Sequence, residues 1–266
     1  MQKLLTDIFI VLKKKVIKGL PSYKVGVNNK GDITKYFDKY SEDYIIQRLT
    51  KTGLKATIIS EELMQPLVIN PQKFAPMTYI IIDPIDGSDN YLSGVPFVCL
   101  GIAVFDEHMS PLYSLAANYY TGDCFYADRH KLLLNGKRFD AGKAVKSTND
   151  IIYFAFTDTT VTLNNKFRKI FLYESGKVRS LGATIGELIL VIKGGAKSFI
   201  DIRNQLTPEN FAPFFLILQH TKACFTDEKG RSFKLRNRKL TEGYNVVFSN
   251  NKKEHNKIIN KLKKIL

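Results

Sequence analysis

Asp83 and Asp86 stand three residues apart in the run Tyr79-Ile80-Ile81-Ile82-Asp83-Pro84-Ile85-Asp86-Gly87-Ser88-Asp89-Asn90, and the pair Glu61-Glu62 lies upstream. Clustered carboxylates repel one another, so they either share protons or hold a cation. Asp86, Gly87 and Ser88 are turn and helix-start residues whose backbone N–H groups would suit an anion. With a phosphate arriving at the same place, a cation makes the total charge tolerable. Glu61, Asp83, Asp86 and the carbonyl of Ile85 together make an all-oxygen donor set, which suits magnesium, manganese or calcium better than zinc. Taken singly the motifs are bland, because Asp-Pro-x-Asp-Gly is an ordinary turn and Glu-Glu at a strand end is ordinarily solvated. Their order and spacing give them weight.

The elements that must position these groups can be read from residue type. Tyr79 to Ile82 is a β-branched and aromatic run that reads as a buried strand. Pro84 has no N–H for a ladder, so the strand is expected to stop near Asp83. Lys55 to Ser60 is a second strand ending at Glu61, so both acidic ends can meet in the crevice where open α/β sheets hold ligands. Leu4, Leu5, Ile8, Val11, Leu12 and Val16 fall at helical spacing, which predicts an amphipathic first helix packed on the domain. Pro21 to Asn29 reads as a polar connection and Asn28 to Asp32 as a turn. Thr34 to Thr50 is a second helix carrying Asp38 in its first turn.

Strands are expected at Val98–Val104, Ser114–Asn118 and Asp123–Ala127, with Asn135-Gly136 turning a hairpin between Leu132–Leu134 and Lys137–Phe139. Ala141 to Asn149 reads as the connection between an N-terminal half, residues 1–145, and a C-terminal half, 146–266, forming one compact unit. The second half offers strand Ile151–Phe156, helix Asn164–Tyr173, strand Val178–Leu181, helix Glu187–Lys193 and strand Ala196–Ile202. The small residues of Gly182-Ala183-Thr184-Ile185-Gly186 permit close backbone approach, for packing or for a substrate. Thr207 as N-cap with Pro208 behind it predicts a helix running to about Lys222. A last strand, Val246–Ser249, and a basic helix, Lys252–Leu266, close the chain.

The 266 residues carry 40 Lys and Arg against 25 Asp and Glu, a net charge of +15, with 44% apolar content. That is ample for a packed core. The charge attracts phosphorylated metabolites, nucleic acid or anionic membrane without choosing among them. The lysines are spread widely, which reads as compositional drift over a polyanion patch, so nucleic acid is not the favoured partner. Cys99, Cys124 and Cys224 are scattered and odd in number, as in a cytoplasmic protein with reduced thiols. Asp7 and the lysines after it argue against a signal peptide, and no apolar run approaches membrane-spanning length. His108, His130, His220 and His255 lie outside these motifs and read as surface or structural residues.

Ser60-Glu61-Glu62 followed by Asp83-Pro84-Ile85-Asp86-Gly87-Ser88-Asp89-Asn90-Tyr91 resembles the paired signatures of the inositol monophosphatase family. Gly94-Val95-Pro96-Phe97 and Gly101-Ile102-Ala103-Val104 fit as well, and weaker likeness runs through roughly residues 25 to 255. The resemblance implies an α/β (α+β) fold, a layered α/β/α/β/α sandwich of the sugar phosphatase type, commonly a homodimer. It implies magnesium-dependent hydrolysis of a small phosphomonoester by a metal-activated water, the substrate being inositol monophosphate, fructose 1,6-bisphosphate or a related sugar phosphate. Two or three magnesium ions, with manganese as a substitute, would be held by Glu61, Asp83, Ile85, Asp86 and Asn210. Asp38, Glu61 and Ser88 would be the catalytic residues, Asp38 following a mobile loop. Asp86, Gly87, Ser88, Arg203 and Asn210 would bind phosphate or substrate, Arg203 because Asp201-Ile202-Arg203 is similar to archaeal-type members.

One position departs from the family pattern. Asn210 stands in Pro208-Glu209-Asn210-Phe211-Ala212-Pro213 where the family has a metal-binding aspartate. Asn keeps a carbonyl oxygen but removes a full charge, a loss on the order of several kcal/mol facing a divalent ion at an effective dielectric of about 20. Glu209 is adjacent, yet one residue turns about 100° along a helix, so it would substitute only if the helix start re-registered. The alternative expectation is therefore a catalytically weakened member acting as an RNA- or protein-binding factor.

Overall fold

The computed structural model describes residues 1–28, 30–142, 150–155, 177–232, 235, 242–264 and 266. The expected helix Asn164–Tyr173 and all but the first two residues of the Ala141–Asn149 connection lie outside the described residues.

Helix α1 (Gln2–Lys18) forms as its periodicity predicts and buries Leu5, Ile8, Phe9, Leu12 and Val16. The polar connection after it is more ordered than its composition suggests, because β1 (Lys24–Val27) and β2 (Ile33–Lys35) pair as an antiparallel hairpin around the Asn28–Asp32 turn. Helix α2 (Tyr36–Thr50) follows directly and buries Phe37, Asp38, Ile45 and Leu49.

Eight strands form the larger sheet: β3 (Ala56–Ser60), β4 (Leu67–Ile69), β5 (Thr78–Asp86), β6 (Cys99–Phe105), β7 (Pro111–Asn118), β8 (Cys124–Asp128), β9 (Leu132–Leu134) and β10 (Lys137–Arg138). Their spatial order is β10-β9-β8-β7-β6-β5-β3-β4. All pairs are antiparallel except β3 with β5, which run parallel and so bring the acidic ends of both strands to the same edge.

Strand β5 does not stop at Asp83. It continues through Pro84 to Asp86 because the register against β6 shifts between Asp83 and Asp86, and a bulge leaves a proline without a ladder bond to lose. The buried Tyr119 hydroxyl donates to the Pro84 carbonyl at 2.8 Å and fixes this bend. Helix α3 (Ser88–Leu92) begins after Gly87, whose φ of 92° is left-handed, a conformation that suits glycine.

The smaller sheet, ordered β12-β11-β13-β15-β14, comprises β11 (Ile151–Phe154), β12 (Lys177–Arg179), β13 (Ser198–Leu206), β14 (Cys224–Thr226) and β15 (Tyr244–Ser249). Between the sheets lie α4 (Thr184–Ile192) and α5 (Phe214–Leu218), whose Leu188, Ile189 and Phe214 share one apolar cluster with Phe125 of the larger sheet and Phe199 of the smaller. Helices α1 and α2 cover the outer face of the larger sheet, and α6 (Lys252–Leu262) covers the outer face of the smaller. The result is the α/β/α/β/α sandwich.

A further expectation is corrected here. The helix after Thr207 is a short 3-10 turn, Pro208–Asn210, separated from α5 by a turn that ends at Pro213, because a proline inside a continuous helix would remove a bond and clash with the preceding turn. Strand β14 went unread, its three residues offering no periodicity.

The small residues leading into and opening α4 serve packing. A Cβ on Gly186 would stand 2.5 Å from the Phe97 ring and 2.8 Å from the Cys99 sulfur. Gly186→Ala is therefore expected to overpack this contact and cost about 1–3 kcal/mol, read as a lower urea midpoint at unchanged slope. An unchanged midpoint would contradict the close approach.

Candidate functional site

A polar cavity of about 590 Å³ opens where β3 and β5 end, walled by the β1–β2 hairpin, the start of α2 and α3, and the 3-10 turn. Asp38, Glu61, Asp83, Ile85, Asp86, Gly87, Ser88 and Asn210 all line it. Residues up to 172 positions apart in the chain thus meet in one place. Arg203 does not line it; its guanidinium is clamped in a two-pronged pair on the buried Asp201.

Each acidic group has a different environment. Asp86 accepts from the backbone N–H groups of Thr184 and Ile185, the latter at 2.6 Å, so it caps α4 from across the chain. Those bonds and the helix end favour the carboxylate, yet burial outweighs them and lifts it to about 7. Asp83 is fully buried, accepting from the Ile85 N–H at 3.1 Å and the Asn210 side-chain amide at 2.8 Å. Burial, with Glu61, Asp86 and Glu209 close by, pushes it well above the carboxylate range. Asn210 thus meets Asp83 as a hydrogen-bond donor.

Asp38 is held by the Lys35 backbone N–H at 3.1 Å and by the Ser88 hydroxyl at 3.0 Å, and burial raises it to about 7. Ser88 faces a second acceptor, the Ile85 carbonyl, also at 3.0 Å. A hydroxyl has one proton to donate, so a protonated Asp38 satisfies all three groups by donating to Ser88 while Ser88 donates to Ile85. Asp38 and Ser88 form a short relay through which a proton can pass.

Sequence reasoning missed four contributors. Glu62 accepts from the Thr34 hydroxyl, tying the hairpin to β3, and burial raises it to about 8. Lys30, at the hairpin turn, puts its ammonium on Glu61 at 3.1 Å, on Glu209 and on the Thr207 hydroxyl at 3.0 Å. The tighter 3-10 turn directs both Glu209 and Asn210 towards the carboxylates, the re-registration that a regular helix would not allow. Only the Glu-Glu pair carried a local signal for this; Lys30 read as a turn residue, Thr34 as the start of the second helix where it lies in β2, and Glu209 as misplaced.

The donor chemistry fits a hard divalent cation. The oxygens of Glu61, Asp83, Asp86 and Ile85 are of the right kind, and the buried Oε2 of Glu209 has no hydrogen-bond partner among the described residues. Among the described residues no three His, Cys, Asp or Glu side chains converge in ligating geometry as they stand. The Lys30 ammonium lies between two of the carboxylates that would have to close.

These shifts carry a sign. Asp38, Asp86 and Glu62 titrate in the folded protein near 7 to 8, above an unfolded value of about 4. Their contribution to stability is full below that unfolded value and is lost as pH rises through 7 and 8. Thermal melts in EDTA are expected to fall steadily from pH 5 to pH 9, and added Mg²⁺ to flatten the fall. Melting temperatures that hold or rise across that interval in EDTA would contradict the assignment.

The model of the inositol monophosphatase family matches residues 5–266. The chain is 29% identical over 240 residues, covering 90% of itself and 86% of the relative, to a fructose-1,6-bisphosphatase/inositol-1-monophosphatase of Thermococcus kodakarensis. It is 30% identical over 232 residues, covering 87% and 85%, to the protein of the same name in Methanocaldococcus jannaschii. The crystal structure of an inositol monophosphatase-fructose 1,6-bisphosphatase superposes with a TM-score of 0.80 at 28% identity, covering 98% of both chains. Motif, fold and cavity together place this chain in the inositol monophosphatase family.

Proposed function

We propose that this protein is a divalent-cation-dependent phosphomonoesterase acting on small sugar phosphates, with inositol monophosphate and fructose 1,6-bisphosphate as the first candidates. The observation that carries the reading is the Asp38–Ser88 pair, anchored on the Ile85 carbonyl and lining the same cavity as Asp83 and Asp86. A bound magnesium ion would supply Lewis acidity and offset the charge of the phosphate. Glu61, Asp83, Asp86 and the Ile85 carbonyl are the groups that would hold it, and Mn²⁺ suits the same oxygens.

The chain's own residues do the rest. Asp38, titrating near 7, accepts a proton through Ser88 from a water whose oxygen bonds to phosphorus as the ester P–O bond breaks; the leaving alkoxide takes a proton from solvent, and Asp38 later gives its own back to solvent. Gly87 and Ser88 present backbone N–H groups at the turn into α3, and Lys35 at the cavity wall adds a positive charge for the phosphate. Burial of Asp83 keeps water from screening these charges. Glu209 retains a carboxylate in the turn that holds Asn210, which weakens the ground for a merely binding role. Homodimerisation and a cytoplasmic setting are part of the proposal; no helix among the described residues is long and apolar enough to cross a membrane.

The test is phosphate release from inositol, fructose and adenosine phosphates, in Mg²⁺ and in EDTA. Turnover that requires Mg²⁺ is expected. Silence across the panel in Mg²⁺, with a salt-sensitive RNA affinity instead, would replace the enzyme reading with the binding one.

A further inference from the structure

The geometry points to Lys30 as a tethered cation that competes with a divalent ion for the carboxylates of Glu61 and Glu209. This rests on the cation-dependent reading above. The Lys30 ammonium has three N–H donors and three partners, Glu61, Glu209 and Thr207, so its bonding is complete without any ion. The Thr207 hydroxyl in turn donates to Glu209. Glu209 is wholly inaccessible, and a buried carboxylate with no counter-charge would be strongly unfavourable. Lys30 supplies that charge from 179 residues away in the chain.

The same contacts make the arrangement reversible. The Glu209 Oε2 has no hydrogen-bond partner among the described residues, so Lys30 satisfies only half of that carboxylate. A divalent ion binding carboxylate oxygens at about 2 Å needs the space in which the ammonium sits, and the two cations repel each other. The turn itself is held from within, the Asn28 side-chain oxygen accepting from the Lys30 and Asp32 backbone N–H groups at 3.0 and 2.9 Å. The ammonium rides on a flexible four-carbon stem and keeps 20% of its side-chain surface exposed. It can swing to solvent while the turn stays folded. When the ion leaves, Lys30 returns and the carboxylates remain neutralised.

Two measurements without substrate test this. In the wild type, Lys30 is acetylated by an amine-reactive ester in EDTA and in Mn²⁺, and its modification is read by peptide mass spectrometry. Labelling of Lys30 is expected to rise several-fold in Mn²⁺; equal or lower labelling, with Mn²⁺ bound, overturns the proposal alone. By calorimetry, Lys30→Met is expected to bind Mn²⁺ at least about tenfold more tightly than the wild type, because the competing state is removed. Equal or weaker affinity overturns it. Should that variant fail to fold, the labelling result decides. Absence of Mn²⁺ binding in wild type and variant alike would overturn both this proposal and the cation-dependent reading.

Discussion

Asp83→Asn is expected to reduce Mg²⁺-dependent phosphate release by about 10³-fold or more, equivalent to some 4 kcal/mol of transition-state stabilisation, while raising the melting temperature measured in EDTA. Both effects have one cause. Asp83 is fully buried with Glu61, Asp86 and Glu209 around it, so its negative charge opposes the fold unless a cation is present. Removing the charge relieves that opposition and removes a ligand in the same stroke, the trade-off that strained functional sites commonly display. The gain in stability is limited, because an asparagine keeps only one of the two acceptor oxygens that now serve Ile85 and Asn210. A rise of a few degrees is in proportion for a chain of this size, where 1 kcal/mol moves the midpoint by about 2–4 °C. Added Mg²⁺ should stabilise the wild type and leave the variant nearly unmoved. A variant that melts lower in EDTA and retains turnover would mean that Asp83 is a structural residue, and the site would have to be sought elsewhere.

Asn210→Asp is expected to make folding depend on the divalent cation. From the sequence this change reads as simple restoration of a ligand. The structure alters the expectation, because the Asn210 amide donates to Asp83 at 2.8 Å. A carboxylate at 210 would turn that bond into a repulsion of roughly 6 kcal/mol at an effective dielectric of about 20, before the pair relaxes or takes up a proton. With most of that relaxed, the melting temperature in EDTA should fall by on the order of 5–10 °C. Saturating Mg²⁺ should restore it, since an ion at a hundred times its dissociation constant contributes about 2.7 kcal/mol. Turnover at saturating Mg²⁺ should equal or exceed that of the wild type. Scanning calorimetry with and without Mg²⁺ settles the matter, and an EDTA midpoint unchanged from the wild type would exclude the Asn210–Asp83 contact as a determinant.

The two variants together separate charge from geometry at the same hydrogen bond. Asp83→Asn removes the acceptor's charge, and Asn210→Asp adds charge on the donor's side. Opposite shifts in EDTA, converging in Mg²⁺, are the signature of a site whose stability is tied to its cation.

Much of this protein was determined by local sequence. Leu5, Ile8, Leu12 and Val16 fix α1 through their spacing, which reports which face must leave water, and the unbroken β-branched and aromatic run Tyr79 to Ile82 fixes a strand buried on both faces. The Glu61, Asp83, Asp86 and Ser88 set was legible for a related reason. Its members lie within 28 positions at or just beyond the ends of two strands that run parallel, so strand direction carries them to one edge. The bulge that carries β5 through Pro84 was not legible, since it depends on β6 and on Tyr119 beneath it.

Tertiary structure alone decided which charges neutralise which. Lys30 is one lysine among many in a chain of +15, and nothing near it in sequence indicates Glu209 as its partner. Asp86 finds its donors at Thr184 and Ile185, 98 and 99 positions on. Whether Glu209 or Asn210 would face the cavity depended on a 3-10 turn in place of a regular helix, a difference of one hydrogen-bond register. A charged side chain looks the same in sequence whether it is solvated or buried. Its pairing is set by which distant backbone the fold places within about 3 Å of it, and the sequence states that only through the whole chain at once.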